Sequence, residues 1–407
     1  MFLSSSAALA QDVVVGKLVY DMTGRELDLG LLGLAEFAPA ALLVLVTGSV
    51  ADRFDRRRVT ALALGAEAAS VGVLGWYAST EPTSVVPVFF LVMWFGAARA
   101  FAAPASRALP ADIVEPERLP RVVPRYSAAW QAAVIVGPVL GGVLYSRDIR
   151  LPFVAMALLL AGSAAAVLAI RVVPHRAPAP LVVETTMEST MEAADEVAPI
   201  PERPGWRAAF EGLRFIRGHP ILLGAISLDL FAVLFGGAVA LLPAVAEERL
   251  GVDAVGLGWL RAAGGIGAAL VTLGLAVRPV QRQVGRRLLF VVALFGVATI
   301  VLGVTRSFVV AFIAMAVLSG ADAVSVFIRA TLVPLVTPRD KRGRVLAVEN
   351  VFIGASNELG AFESGVAGQL LGPAGAIVLG GTATLAVAAS WALLFPDLRD
   401  VDRFPTS

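Results

Sequence analysis

The chain has no cysteine, two histidines and only two lysines, Lys17 and Lys341, among 407 residues. Without cysteine there are no disulfides and no thiolate metal sites. The histidines, His175 and His219, stand at loop edges without metal-ligand spacing, so no metal is expected. Charge is scarce: 16% of residues are Asp, Glu, Lys or Arg, against about a quarter in soluble domains. A net charge of +1 supplies no basic surface, and no nucleic-acid partner is expected. Neither a Gly-x-x-x-x-Gly-Lys phosphate loop nor a Gly-x-Ser-x-Gly nucleophile turn occurs. ATP hydrolysis and resident cofactors are therefore not expected, and the chain does not read as an enzyme.

Apolar sequence fills the space that charge leaves. Hydrophobic residues make up 57% of the chain, in continuous runs of about 20 residues, the length that crosses a bilayer as a helix. The runs do not alternate, which excludes a β-barrel. The fold class is an all-α membrane protein with twelve spans. They are predicted at 2–20, 28–50, 59–79, 85–107, 123–146, 151–173, 220–245, 253–276, 287–305, 308–334, 345–370 and 373–395. Arginine concentrates in every second loop: Arg53 to Arg58, Arg107 to Arg121, Arg278 to Arg287, and Arg339 to Arg344. The positive-inside rule puts those loops, and both termini, in the cytoplasm.

Residues 174–205, rich in Pro, Glu, Thr and Ala, read as a flexible cytoplasmic linker between two units, 1–173 and 219–395. Residues 206–218 read as an amphipathic helix lying on the membrane surface, and 396–407 as a cytoplasmic tail. The two units resemble each other. Gly30, Leu34, Gly48 and Arg56 fall on Gly256, Leu260, Gly274 and Arg282, and Gly96 and Pro110 fall on Gly320 and Pro334. Nearly equal offsets at two places point to six-plus-six duplication, an architecture of transporters that rock about a midplane site.

One stretch breaks the apolar pattern. "GSVADRFDRRR", Gly48 to Arg58, carries six charges within Asp52 to Arg58. Its Gly48, Ala51, Asp52, Arg53 and Arg56 match the loop signature of the major facilitator superfamily, which the whole chain resembles. Asp55 replaces the second Gly of that signature, so a different local turn is expected. The resemblance implies that Asp52 faces the start of the eleventh helix near Arg344 to Val348. With Gly48, Arg53, Arg56 and an acid at the end of the fourth helix, for which Asp112 is the candidate, it would latch the two units. The alternative is that these charges only anchor the loop. In the fifth span, Gly137, Pro138, Gly141 and Gly142 match the Gly-Pro-x-x-Gly-Gly element of proton-antiporting exporters in that superfamily; tight helix packing alone would also use them. The finer resemblance is to the enterobactin exporter and macrolide efflux branch. It rests on "VYDMTG", "ADRFDRRR", "RYSAAWQAAVIVGP" and "RGRVLAVENVFIGASNELGAFESG". A short leader ahead of Met1 is usual in that branch.

Ionisable residues at membrane depth are costly and mark function by default. The first, fourth, seventh and tenth helices, which line the cavity in the superfamily, hold Asp12 and Lys17, Arg99, Asp229, and Asp322. Glu36, Arg261 and Glu358 are further cavity candidates on gating helices, while Glu67 in the third span is expected to be peripheral. These groups either hold protons and substrate or form static pairs, for example Asp12 with Lys17 or Arg99. Together the features imply a monomeric, proton-coupled exporter of a small amphipathic molecule (drug, macrolide or siderophore) in the bacterial inner membrane. Its partners are the substrate, protons and the lipid bilayer. A lysolipid substrate, and more distantly a channel or intramembrane enzyme, are the alternatives.

Overall fold

A computed structural model describes residues 1–114, 118–170 and 206–405, which places the predicted linker 174–205 outside the described residues. The first half consists of α1 Phe2–Thr23, α2 Glu26–Arg53, α3 Arg56–Ala78, α4 Val86–Ile113, α5 Leu119–Tyr145 and α6 Arg150–Ala169. After the linker come α7 Trp206–Arg217, α8 Pro220–Phe235, a short α9 Leu242–Ala244, α10 Ala254–Val277, α11 Val284–Val304, α12 Phe308–Val336, α13 Arg342–Leu394 and α14 Pro396–Arg399. Ten helical segments among the described residues are long and apolar enough to cross a membrane, with Pro220–Arg249 counted as one. The 28-residue α2 runs beside them, and α13 is two crossings, broken at Gly372 (φ 73, ψ 162) and followed by Pro373. Twelve crossings result. They fall on the predicted spans, with the largest difference at the end of α4, predicted at 107 and observed at Ile113.

Local chemistry sets the breaks. Gly24 ends α1 in the left-handed region, φ 57, and its N–H bonds Tyr20 O at 2.8 Å. Glycine adopts that conformation without steric cost. Asp253 starts α10 by accepting the N–H groups of Val255 and Gly256 at 3.1 Å. Asp55, where a Gly is usual, caps α3 instead: its carboxylate accepts Arg57 N–H at 2.9 Å. The Arg57 guanidinium, 3.1 Å away, holds that carboxyl below the usual carboxylate range. Arg57 also donates to the carbonyl of Ile170 after α6. The corner of α2, α3 and α6 is thereby tied together inside one half.

Packing repeats between the halves. Helix α2 lies on α4 as α10 lies on α12; α3 lies on α4 and α6 as α11 lies on α12 and on the second limb of α13. The halves meet through α5 on α10 and α2 on the first limb of α13, related by the same pseudo-symmetry. Glycines allow the close approach. A Cβ on Gly30 would stand 2.9 Å from Ala361 O, and one on Gly258 would stand 2.6 Å from Pro138 O. The Gly-Pro-x-x-Gly-Gly element serves two neighbours: Gly137 and Gly141 face α1 at Ser6 and Ala10, while Gly142 faces α10 at Ala254.

Helix α7, expected on the membrane surface, docks on the Arg-rich ends of the second half. Its Ile216 is buried with Leu222, Ile226, Val333, Val345 and Val348. Gly212 lets it sit on the Arg344 carbonyl, and Glu211 pairs with Arg344 at 2.6 Å. Phe210 is exposed, at 67%, as expected of a surface helix.

The glycines within and between halves have separable roles. At Gly267 a Cβ would come within 2.6 Å of Ala316 Cα, inside the α10–α12 pair. Gly267→Val is expected to cost about 1–3 kcal/mol of stability through overpacking, read as a lower unfolding temperature. Gly30→Val, at the junction of the halves, is expected to keep the unfolding temperature closer to wild type and to expose cysteine probes placed near Leu241. Equal thermal losses without new labelling would show that the two contacts do the same job.

Candidate functional site

Between the halves lies a cavity of about 660 Å³. Its wall includes Asp12 from α1, Glu36 from α2, Arg99 from α4, Arg261 from α10, Asp322 from α12 and Glu358 from α13. Six of the eight predicted cavity residues thus meet at one place, from six helices. Close backbone contact sets some of them: Gly96 on α4 lies directly on the backbone of Glu36, and Gly33 opens space for the Glu358 carboxylate. The apolar part of the wall includes Leu29, Leu32, Phe37, Val233 and Phe295.

The six charges are not paired off. None of them has an opposite charge within 4.0 Å among the described residues, and Arg261 Nε is buried without a hydrogen-bond partner. Five of them act on one another at longer range, Arg99 on Asp12 and Glu36, Arg261 on Asp12, and Asp12 on Glu358, while the charge acting on Asp322 is Arg329; Arg99 also acts on Glu67. Four carboxylates face two guanidinium groups, so the wall carries an excess of acid.

Asp229 and Lys17 stand elsewhere. Asp229 is absent from the cavity wall and is buried against Arg329, Oδ1 to Nη2 2.7 Å, while Arg329 Nη1 reaches Glu349 Oε1 at 3.5 Å. All three side chains are less than 10% exposed. This triad joins α8, α12 and α13 and is a static pair of the kind considered for Asp12. Arg329 and Glu349 lie inside the predicted spans 308–334 and 345–370 but are not among the predicted site residues, and their pairing with Asp229 could not be read because Asp229 is on another helix about a hundred residues away.

Lys17 does not reach Asp12. It pairs with Asp21 one turn on and with Glu247 of the second half at 2.8 Å. Around it, Tyr20 donates to Glu248 and Tyr145 donates to Asp21 at 2.7 Å. Glu247 and Glu248 sit on a π-helical turn, Val245–Arg249, whose wider winding is common at functional sites. Below this network Val13, Tyr20 and Leu29 pack with Leu241, Leu242, Val245, Leu257 and Leu260. The cavity is sealed at the end remote from the Arg-rich loops by an apolar plug under a polar lid. Lys17, Asp21 and Glu247 are 13%, 33% and 52% exposed. Ion pairs so placed contribute about 0–1 kcal/mol each.

At the Arg-rich end, Gly48 has open space around it and Arg53 is exposed, while Arg56 Nε bonds Ala51 O at 3.3 Å. The side chains of Asp52 and Asp112 lie outside the described residues. Glu67, expected to be peripheral, is 3% exposed. The signal was available: Thr60, Leu64, Glu67, Val71 and Leu74 are one buried stripe at helical spacing.

The family model described as Major Facilitator Superfamily matches residues 1–305. No curated protein matches the sequence. Among solved structures, a bacterial homologue of the human lysosomal transporter Spinster, inward-facing and unoccupied, superposes with TM-score 0.66 at 15% identity, covering 98% of this chain and 95% of that one. A variant of the nucleoside transporter NupG gives TM-score 0.71 at 11% identity, covering 97% of each chain. A bacterial homologue of the iron transporter ferroportin, inward-facing, gives 0.64 at 13%, covering 98% and 96%.

Two predictions separate structural charge from gating charge. Arg329→Met leaves two buried carboxylates without a counter-ion and is expected to cost about 3–5 kcal/mol in denaturant unfolding. Adding Asp229→Asn and Glu349→Gln should recover most of that loss. Lys17→Met should leave unfolding within about 1 kcal/mol and increase labelling of a cysteine introduced at Gly16 from the far side. A large stability loss with unchanged labelling would make Lys17 a structural residue.

Proposed function

The chain belongs to the Major Facilitator Superfamily, and we propose that within it this protein is a proton-coupled exporter of an amphipathic cation. It is a multi-pass membrane transporter, not an enzyme. The reading rests on one observation: four carboxylates and two guanidinium groups, none of them ion-paired, line a single cavity between the halves. A volume of about 660 Å³ suits a drug-sized ligand. Surplus acid favours a cation, and the aromatic and aliphatic wall favours an apolar body. A macrolide-type amine or a lipophilic cationic drug fits this better than an anionic siderophore. Neutralising a carboxylate by a proton removes its hold on the cation, so proton and substrate compete for the same negative charge.

With the Arg-rich loops in the cytoplasm, the sealed end faces outward and the cation loads from inside. Opening the far end requires the plug around Leu241 and Leu257 to part and the Lys17 lid to break. In this reading the Gly48–Asp52–Arg53–Arg56 cluster, with Asp112, holds the opposite end shut during that step. Other neighbours of this fold are described as taking nucleosides, iron or 5-aminolevulinic acid, so the fold does not choose the substrate and the wall chemistry must.

The test is transport in proteoliposomes under an imposed pH gradient, with tetraphenylphosphonium, a macrolide, a catecholate siderophore and a lysophospholipid. Tetraphenylphosphonium or the macrolide is expected to move against its gradient, and an uncoupler should abolish this. Asp322→Asn should weaken uptake of the cation by about tenfold if the lost contact is worth roughly 1.4 kcal/mol. Transport indifferent to pH for every accepted compound would end the proton-coupled reading. Acceptance of the lysophospholipid alone would move the substrate class to lipid.

A further inference from the structure

The charge network has one member outside the cavity. Glu67 on α3 is 3% exposed and is not part of the cavity wall. It makes no ion pair and no hydrogen bond among the described residues, although α3 is packed against α4 and α6 along its length. The packing there is close: Ser70, one turn on, donates to the Leu91 carbonyl of α4 at 2.6 Å. Helix α6 offers no ionisable residue between Leu151 and Ala169. The charge that acts on Glu67 is Arg99 from α4, and Glu67 in turn acts on Glu36 of α2.

We propose that Glu67 is a proton-carrying residue one layer behind the cavity, and that Arg99 reports its charge to the cavity. The proposal rests on the proton-coupled reading above and names where one coupling proton sits. A carboxylate buried without a partner is costly as an anion and far less costly as a neutral acid. Arg99 lies on the cavity wall with Asp12 and Glu36, Glu67 does not, and the Arg99 charge acts on all three. While Glu67 holds a proton, the Arg99 charge is available to Asp12 and Glu36, and their hold on a cationic substrate weakens. When Glu67 releases the proton, its anion competes for Arg99, and Asp12 and Glu36 regain their negative field. Proton and substrate cation are thereby linked without sharing an atom. This proton adds to those that compete with the substrate directly at the cavity acids.

Infrared difference spectroscopy of the full chain in phosphatidylcholine bilayers, titrated with pH and without substrate, tests this. The wild type should show a protonated-carboxyl C=O band that disappears as pH rises. Glu67→Gln should lose one component of that band, the component followed below, and unfold at the wild-type temperature, since no partner is lost. Arg99→Gln should move the disappearance of that component upward by about one pH unit or more, and Arg99→Lys should restore it. A structural role for Glu67 would not produce the Arg99 dependence. A band unchanged in Glu67→Gln, or one indifferent to Arg99→Gln, overturns the proposal. Because no substrate is present, this result is separate from the transport assay: pH-independent transport would refute the coupling, while an unchanged band would refute Glu67 as its carrier.

Discussion

Charge has no inexpensive place in a bilayer, and the arrangement of this chain follows from that constraint. Every strongly buried ionisable group lies inside a half or in the seam between the halves. Two solutions coexist. Asp229, Arg329 and Glu349 satisfy one another and fasten three helices of the second half. Asp12, Glu36, Arg99, Arg261, Asp322 and Glu358 do not satisfy one another at contact distance and face a shared cavity. The first arrangement gains nothing from a ligand. The second leaves charge to be balanced by whatever enters, and only that kind can do transport work.

The seam must hold and yet part. Its far end combines backbone-to-backbone contact at Gly30, Gly142, Gly258 and Gly365 with an apolar plug and a lid of half-exposed ion pairs. Within the plug, Tyr20 and Leu29 of the first half pack with Leu241, Leu242 and Leu257 of the second. Close glycine contact gains dispersion over a large area and is lost as a unit when the helices separate. The exposed lid pairs add little energy each but fix which residues meet. Inside the first half, large residues such as Phe95, Phe153 and Met156 are fully enclosed. Rocking of the halves would separate the seam contacts and leave those inside each half in place.

Most of this fold was legible in the sequence, because apolar runs of membrane length have few alternatives in lipid. The break of α13 at Gly372 and Pro373 was visible as a gap between two runs. The cavity was legible in part: an ionisable residue inside a span is conspicuous, and six of eight such candidates share one wall. What could not be read was pairing. Nothing local to Asp229 announces Arg329, and nothing local to Lys17 announces Glu247, since each partner is supplied by another helix. Glu67 lies off the cavity wall, as expected of the third helix, but its burial was not foreseen. The third helix is peripheral as a whole, but the stripe from Thr60 to Leu74 turns inward and carries the carboxylate with it.

The Arg-rich signature at the α2–α3 corner takes a second meaning from the structure. Asp55 caps α3, Arg57 ties α3 to the end of α6, and Arg56 returns to the Ala51 carbonyl of α2. These contacts all lie within the first half. They make the corner rigid whether or not the second half is near. On the other side, Arg344 at the start of α13 is paired with Glu211 of α7, so the opposing surface is also fixed to its own half. A latch between two such corners needs no internal rearrangement to close or open, because each face is held by its own half. Charge placed on rigid corners can then favour one relative position of the halves over another.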